Sequence, residues 1–215
     1  MLNNIKAAIF DLDGTLADSM WVWKKIDIDF LNDRNLNAPK NLISDICHLS
    51  FEQCASYFKE RFNLTESVQD IMTCWHNMAY ENYKEKVKLK SGAKNLLLHL
   101  KSCGIKIALA TSNSKPLLEA TLKANGIYDL FDVITTTDEV LRGKNFPDVY
   151  LLTAKKLNVN PKDCIVFEDI LPAVKGAKSA GMKVIAVYDE HSLDQMPYLK
   201  EEADKYINNF DELAI

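Results

Sequence analysis

The chain predicts an α/β fold in which a parallel sheet is layered between helices and a helical block is inserted after the first strand. Three observations carry this reading. A short, wholly apolar run, Ala7-Ala8-Ile9-Phe10, breaks abruptly into Asp11-Leu12-Asp13-Gly14-Thr15, as a strand buried on both faces does when it meets a turn. From about Ser19 to Lys86 the pattern changes to long apolar–polar periodicity with few glycines and no strand. After Lys90-Ser91-Gly92 the rhythm becomes strand, helix, strand, and alternation of that kind implies right-handed crossovers and helices on both faces of one sheet.

In the inserted block, Val22, Trp23, Ile26 and Phe30 mark one side of a helix that begins near Ser19. Phe51, Cys54, Ala55, Phe58 and Phe62 mark a second, opened by Ser50 with Gln53 three residues on as a capping box. Val68, Ile71, Met72, Trp75, Met78, Ala79 and Tyr83 form a third stripe at helical spacing. Further on, Leu96, Leu97 and Leu100 lie on a helix stopped by Gly104, and Ile105 to Ala110 reads as a strand. Pro116 suits a helix start, and that helix stops at Gly126. Val133-Ile134 is a short strand, Pro147 opens a helix through Leu157, and Cys164 to Phe167 is the next strand. A helix from about Leu171 stops at Gly181, and Lys183 to Val187 closes the series. The boundaries expected are 1–17 with 89–215 for the α/β core and 18–88 for the insert, with hinges near Leu16–Asp18 and Val87–Lys90.

Composition narrows the function. The 215 residues include 26 Lys plus Arg against 30 Asp plus Glu, a formal charge of −4. That balance argues against a dedicated nucleic-acid binder, whose phosphate contacts want a basic excess. Cys47, Cys54, Cys74, Cys103 and Cys164 are widely spaced with no CxxC pair, so reduced thiols are expected rather than a zinc or disulfide framework. No apolar run reaches the ~18 residues of a membrane span, and Ile5 to Phe10 is too short for a signal peptide. A cytoplasmic protein with no membrane partner is expected, as monomer or homodimer.

Open parallel sheets bind ligands at the carboxyl ends of their strands. Here the first strand delivers Asp11 and Asp13, the Ile105–Ala110 strand Thr111-Ser112-Asn113-Ser114, and the Cys164–Phe167 strand Glu168-Asp169. Arg142-Gly143-Lys144 precedes a helix start between the last two. Any one segment alone reads as a helix cap, a loop hydroxyl or a solvated lysine. Their convergence on one sheet edge points to a site.

The set Asp11-Leu12-Asp13-Gly14-Thr15, Thr111-Ser112-Asn113, Lys144 with Pro147-Asp148, and Phe167-Glu168-Asp169 continuing to Ala180-Gly181-Met182 resembles the haloacid dehalogenase superfamily. The likeness is to its phosphatases with a helical cap, in the β-phosphoglucomutase-like and phosphoglycolate-phosphatase-like branch. It implies a Rossmann-like three-layer core and a Mg²⁺-dependent phosphatase acting on a small phosphorylated metabolite of sugar or polyol type. Asp11 would be the nucleophile, forming an aspartyl-phosphate, and Asp13 the acid and then the base. Thr111, Ser112, Asn113 and Lys144 would hold the phosphate, and Lys144 would also serve catalysis. The Mg²⁺ ligands would be Asp11, the Asp13 carbonyl and Asp169, with Glu168 as a ligand or a group behind one.

Charge counting agrees with the metal. One carboxylate approaching a phosphate dianion at ~4 Å costs about 8 kcal/mol at an effective dielectric near 20. Asp169 adds a further negative charge, and a divalent cation with Lys144 offsets most of the total. The sequence also departs from the family pattern. Asn145 follows Lys144 where Pro is common, and Ile170 and Ala173 stand where Ser and Gly are common. Trp23 stands where mutases carry a His, which weakens the alternative of a phosphomutase. A dehalogenase would lack the acid at Asp13, no cap Lys can be placed for a phosphonatase, and a non-catalytic module would need a broken catalytic position. Helical spacing assigns Trp21, Trp23, Trp75 and Tyr83 to packing, while His76, His99 and His191 show no ligand spacing. Lys24-Lys25 and Lys84 to Lys90 read as solvated faces.

Overall fold

The computed structural model describes residues 5–46 and 51–213. In chain order these form β1 (Ala7–Phe10), β2 (Ala17–Asp18), α1 (Trp21–Asn32), α2 (Leu42–Ile46), α3 (Phe51–Arg61), α4 (Val68–Glu85), β3 (Lys88–Leu89), α5 (Ala93–Ser102), β4 (Lys106–Thr111) and α6 (Lys115–Ala124). They continue with β5 (Val133–Thr136), α7 (Asp148–Leu157), β6 (Cys164–Glu168), α8 (Leu171–Ser179), β7 (Lys183–Val187), α9 (Met196–Glu202) and β8 (Lys205–Ile207). Two compact units result. Met20–Lys86 is one, and the rest of the described chain is the other.

The larger unit is built on one parallel sheet of order β5-β4-β1-β6-β7-β8. Its centre is β1, which pairs with β4 through Ala8↔Ile107 and with β6 through Ala8↔Ile165. A strand flanked on both sides and covered on both faces has no solvated position, which is why Ala7 to Phe10 is wholly apolar. Alternate side chains serve opposite layers. Ala7 and Ile9 pack with Val149, Tyr150, Val174, Ala177 and Leu199, placing α7, α8 and α9 on one face. On the other face Phe10 stacks on Phe167, ring centroids 4.4 Å apart and nearly coplanar, with Phe210 at 5.7 Å from Phe167. The segment carrying Phe210 meets α5, which also packs on β4. The predicted three-layer α/β architecture is the one observed.

The smaller unit is helical. Phe30 of α1, Phe58 of α3 and Trp75 of α4 meet edge to face at 4.8–6.1 Å between centroids. Trp23 packs on Phe51, so the aromatic stripe is largely core. A Ser67–Asp70 capping box, missed in the sequence, starts α4. The cap expected at Ser50, together with Cys47, lies outside the described residues.

The structure corrects the expectations in several places. The two expected hinges each contain a short strand, and β2 and β3 pair antiparallel. Lys90 does not lie on a solvated face. Its side chain is largely covered and ion-paired with Asp189. The elements α9 and β8 complete the sheet edge beyond Val187. They escape detection because β8 has only three residues and α9 opens on Met196-Pro197 with a mostly polar sequence after it.

Candidate active site

The carboxyl ends of β1, β4 and β6 lie side by side because these strands are neighbours in the sheet. Asp11 follows Phe10 directly and Glu168-Asp169 follow Phe167, so the stacked Phe10 and Phe167 rings sit immediately beneath the acidic residues. The Asp11 N–H donates to the Phe167 carbonyl at 3.0 Å, which extends the sheet pairing into the site. Asp11, Glu168 and Asp169 are 7%, 1% and 3% exposed, and each offers a carboxylate oxygen within 4.8 Å of the others.

Lys144, on the loop before α7, reaches into this cluster. Its ammonium donates to Asp11 Oδ1 and, at 2.7 Å, to Glu168 Oε1. The buried Tyr150 hydroxyl donates to the same Glu168 oxygen at 2.8 Å. Thr15, the last residue of the Asp11–Thr15 run, donates to Asp169 Oδ1 at 3.1 Å. The loop can come this close to the sheet because α8 carries Gly176. A Cβ there would lie 2.0 Å from the Lys144 carbonyl oxygen.

Asp13 has a separate set of partners. Ser19 Oγ donates to Oδ1 at 2.6 Å and the Asn113 amide donates to Oδ2 at 2.8 Å. The Asn113 side chain is therefore engaged with Asp13, while its N–H donates to Thr111 Oγ1 at 3.0 Å. Thr111 is buried at the end of β4 and Ser112 is exposed beside it. Ser114 Oγ, at the start of α6, is buried and has no hydrogen-bond partner among the described residues. Asp11, Lys144, Glu168 and Asp169 thus form one cluster, and Asp13 and Asn113 a second, joined through the turn that follows β1. Ser19, Tyr150 and Gly176 were not singled out in the sequence. Their types are common, and only the fold reveals what they touch.

The electrostatics show a shortage of positive charge. Burial pushes the Glu168 carboxyl up to about 7, the Asp11 charge adds to this, and Lys144 and Tyr150 oppose it. Burial, then the charges of Asp11 and Glu168, raise Asp169 well above the ordinary aspartate range against Lys144 and Thr15. Burial alone would lower the Lys144 pKa, but the charges and hydrogen bonds of Asp11 and Glu168 outweigh it and hold the ammonium above the usual lysine value. Three buried carboxylates beside one lysine, with every donor a hard oxygen, fit a divalent cation of the Mg²⁺ or Ca²⁺ type.

A parallel α/β sheet with an acidic cluster at its carboxyl edge and a helical insert after β1 defines a class, and comparison with known proteins identifies it. The haloacid dehalogenase-like hydrolase profile matches residues 8–187. The chain belongs to that family. Hexitol phosphatase A of Escherichia coli is 33% identical over 182 residues, covering 85% of this chain and 82% of its own length. The bifunctional riboflavin kinase/FMN phosphatase of Arabidopsis thaliana is 32% identical over 214 residues, or 97% of this chain, and the match spans 55% of that longer protein. Among solved structures, a Thermotoga maritima protein assigned as a β-phosphoglucomutase superposes with a TM-score of 0.84 at 27% identity, covering 94% of each chain. Membership of this family, among relatives named as phosphatases, makes the chain an enzyme of the phosphoric monoester hydrolase class. No helix among the described residues is long and apolar enough to cross a membrane.

Proposed function

We propose that this chain is a Mg²⁺-dependent phosphatase that hydrolyses a small phosphorylated metabolite of sugar or polyol type through an aspartyl-phosphate on Asp11. The observation that carries the reading is the division of labour between the two aspartates of β1's terminal turn. Asp11 faces the Lys144 ammonium, whereas Asp13 meets the Ser19 hydroxyl and the Asn113 amide. The two carboxyls therefore meet different partners, one beside a buried lysine and one beside a hydroxyl and an amide, a separation that suits one to attack phosphorus and the other to move a proton.

In the first half-reaction an Asp11 oxygen bonds to phosphorus and the bond from phosphorus to the leaving alkoxide breaks. Asp13, protonated at the outset, gives its proton to the departing oxygen. In the second, water attacks phosphorus, Asp13 accepts its proton, and the acyl–phosphate bond breaks to return Asp11. Lys144 exchanges its hydrogen bond with Asp11 for one to a phosphoryl oxygen. The Thr111 and Ser112 hydroxyls offer further donors, and Asn113 serves by orienting Asp13. Asp11, the Asp13 carbonyl and Asp169 would hold Mg²⁺, with Glu168 beside them, and the bound ion supplies charge neutralisation to the phosphoryl group.

The sugar and polyol class is supported by the names of the relatives, hexitol phosphatases of Escherichia coli and a phosphorylated carbohydrates phosphatase of Thermotoga maritima among them. Likeness to the protein assigned as a β-phosphoglucomutase favours one second reading, a phosphomutase that returns the phosphoryl group to the sugar. A broad panel of phosphomonoesters incubated with Mg²⁺ and the purified protein separates the readings. Release of inorganic phosphate that falls by about 10³-fold or more in Asp11→Asn supports the phosphatase. Interconversion of hexose 1- and 6-phosphates with little free phosphate supports the mutase, and neither outcome on any substrate overturns both.

A further inference from the structure

The largely covered Lys90 side chain is unrelated to any role assigned above. It follows β3, and its ammonium donates to the Gly14 and Tyr188 carbonyls and pairs with Asp189 Oδ2 at 2.9 Å. Lys90 and Asp189 side chains are 12% and 6% exposed. An ammonium has three N–H donors, and three protein acceptors meet it, so the group is satisfied with little help from solvent. Burying a charge in this way is costly unless every partner is in place. The arrangement marks Lys90 as a built-in feature of the core.

Its position gives it a task. The turn from Leu12 to Ala17 is closed by its own hydrogen bonds, Gly14 N–H to the Ala17 carbonyl at 3.0 Å and Ala17 N–H to the Leu12 carbonyl at 2.8 Å. Gly14 adopts φ 79°, a left-handed conformation that suits glycine. Among the described residues the Gly14 carbonyl accepts no main-chain hydrogen bond, and Lys90 supplies its donor. That carbonyl belongs to the peptide joining Gly14 to Thr15. Asp13 lies immediately before it, and Thr15, immediately after, donates to Asp169. The Lys90 main-chain N–H also donates to the Leu16 carbonyl at 2.8 Å, so both ends of this residue grip the same turn.

We infer that Lys90, ion-paired with Asp189, is a positioning residue that sets the Gly14–Thr15 peptide and thereby aims the Asp13 carboxyl at the leaving-group oxygen. The inference rests on the phosphatase reading above. It requires that loss of Lys90 harm proton delivery more than phosphoryl transfer itself. The parameter kcat/KM reports only steps up to departure of the first product, so it isolates the acid role of Asp13 from its later role as base.

The test compares kcat/KM on a hexitol phosphate, whose alkoxide needs a proton to leave, and on p-nitrophenyl phosphate, whose phenolate does not. In Lys90→Met the alkyl ester is expected to lose about tenfold or more while the aryl ester stays within about threefold of the wild type, a smaller version of the Asp13→Asn pattern. Should Lys90→Met fail to fold, Lys90→Gln, which keeps an amide donor for the carbonyls, is expected to show the same inequality at reduced size. Equal losses on both esters, or none, overturn the positioning role while leaving the phosphatase reading intact. Wild-type protein whose activity on both esters is no greater than that of Asp11→Asn overturns the phosphatase reading, and the inference with it.

Discussion

Asp27 shows how a single side chain can register in the stability of the molecule. It lies on α1, in the helical unit, and burial lifts its carboxyl from the ordinary 3.8 to about 7. An acid whose pKa is raised by folding binds its proton more tightly in the native state than in the unfolded one. Stability therefore falls as pH rises from about 4 to about 7, and the loss is complete above that range. Asparagine keeps the shape without the charge. The stabilisation of Asp27→Asn over wild type, measured by urea unfolding, is expected to be larger at pH 8 than at pH 5 by roughly 1–3 kcal/mol. An equal difference at both pH values would show that the carboxylate is solvated when ionised. Residues such as Asp11, Asp13, Lys144, Glu168 and Asp169 were legible in the sequence because each polar residue follows an apolar strand or precedes a helix start. Asp27 and Lys90 were not, since their neighbours depend on how separate segments pack.

At the level of elements, the approach of the Lys144 loop to α8 depends on one missing methyl group. Gly176 is a helix-interior glycine, which by propensity alone costs roughly 1 kcal/mol relative to alanine. The substitution Gly176→Ala would ordinarily stabilise an exposed helix. Here the added carbon would fall 2.0 Å from the Lys144 carbonyl oxygen and 2.9 Å from that of Phe146, so the loop must move. The variant is expected to lower phosphatase kcat/KM by about tenfold or more while keeping helical content by circular dichroism, because Lys144 leaves its place beside Asp11. Unchanged activity would show that the loop relaxes without displacing the ammonium. The same element illustrates the limits of reading by pattern. Periodicity located α8 and its stop at Gly181, but nothing local distinguishes Gly176 from a weak helix position. The paired strands β2 and β3 escaped for a similar reason, having two residues each and no alternation to detect.

For the molecule as a whole, the buried carboxylates work against the fold that contains them. Asp11, Glu168 and Asp169 lie together while Lys144 pairs with only the first two, and removing one acid relieves repulsion that a bound cation would otherwise offset. Thermal unfolding should therefore respond to Mg²⁺. At a concentration of ~100 times the dissociation constant the native state gains about 2.7 kcal/mol, a rise of several degrees in Tm. In Asp169→Asn the Mg²⁺-dependent rise is expected to vanish, while the metal-free Tm stays equal to or above that of the wild type. A metal-free variant markedly less stable than the wild type would show that Asp169 contributes a net favourable interaction without the ion. The architecture was legible at this scale because strand–helix alternation leaves few topologies once the connections are right-handed. The substrate was not, since the helical insert carries no rule that converts its sequence into a ligand.

The pairing of β1 with β6 has a further consequence for biogenesis. Asp11 is translated some 157 positions before its neighbour Glu168, in the register that sets Ala7 beside Cys164. In a nascent polypeptide β1 can pair with β4 before β6 has emerged, so Asp11 waits longest for its acidic neighbours. Closing so long a loop is slow compared with forming the local helices. The acidic cluster is then completed only once β6 has docked, and a chain stalled before Cys164 would leave the β6-facing apolar edge of β1 open to chaperones or to aggregation.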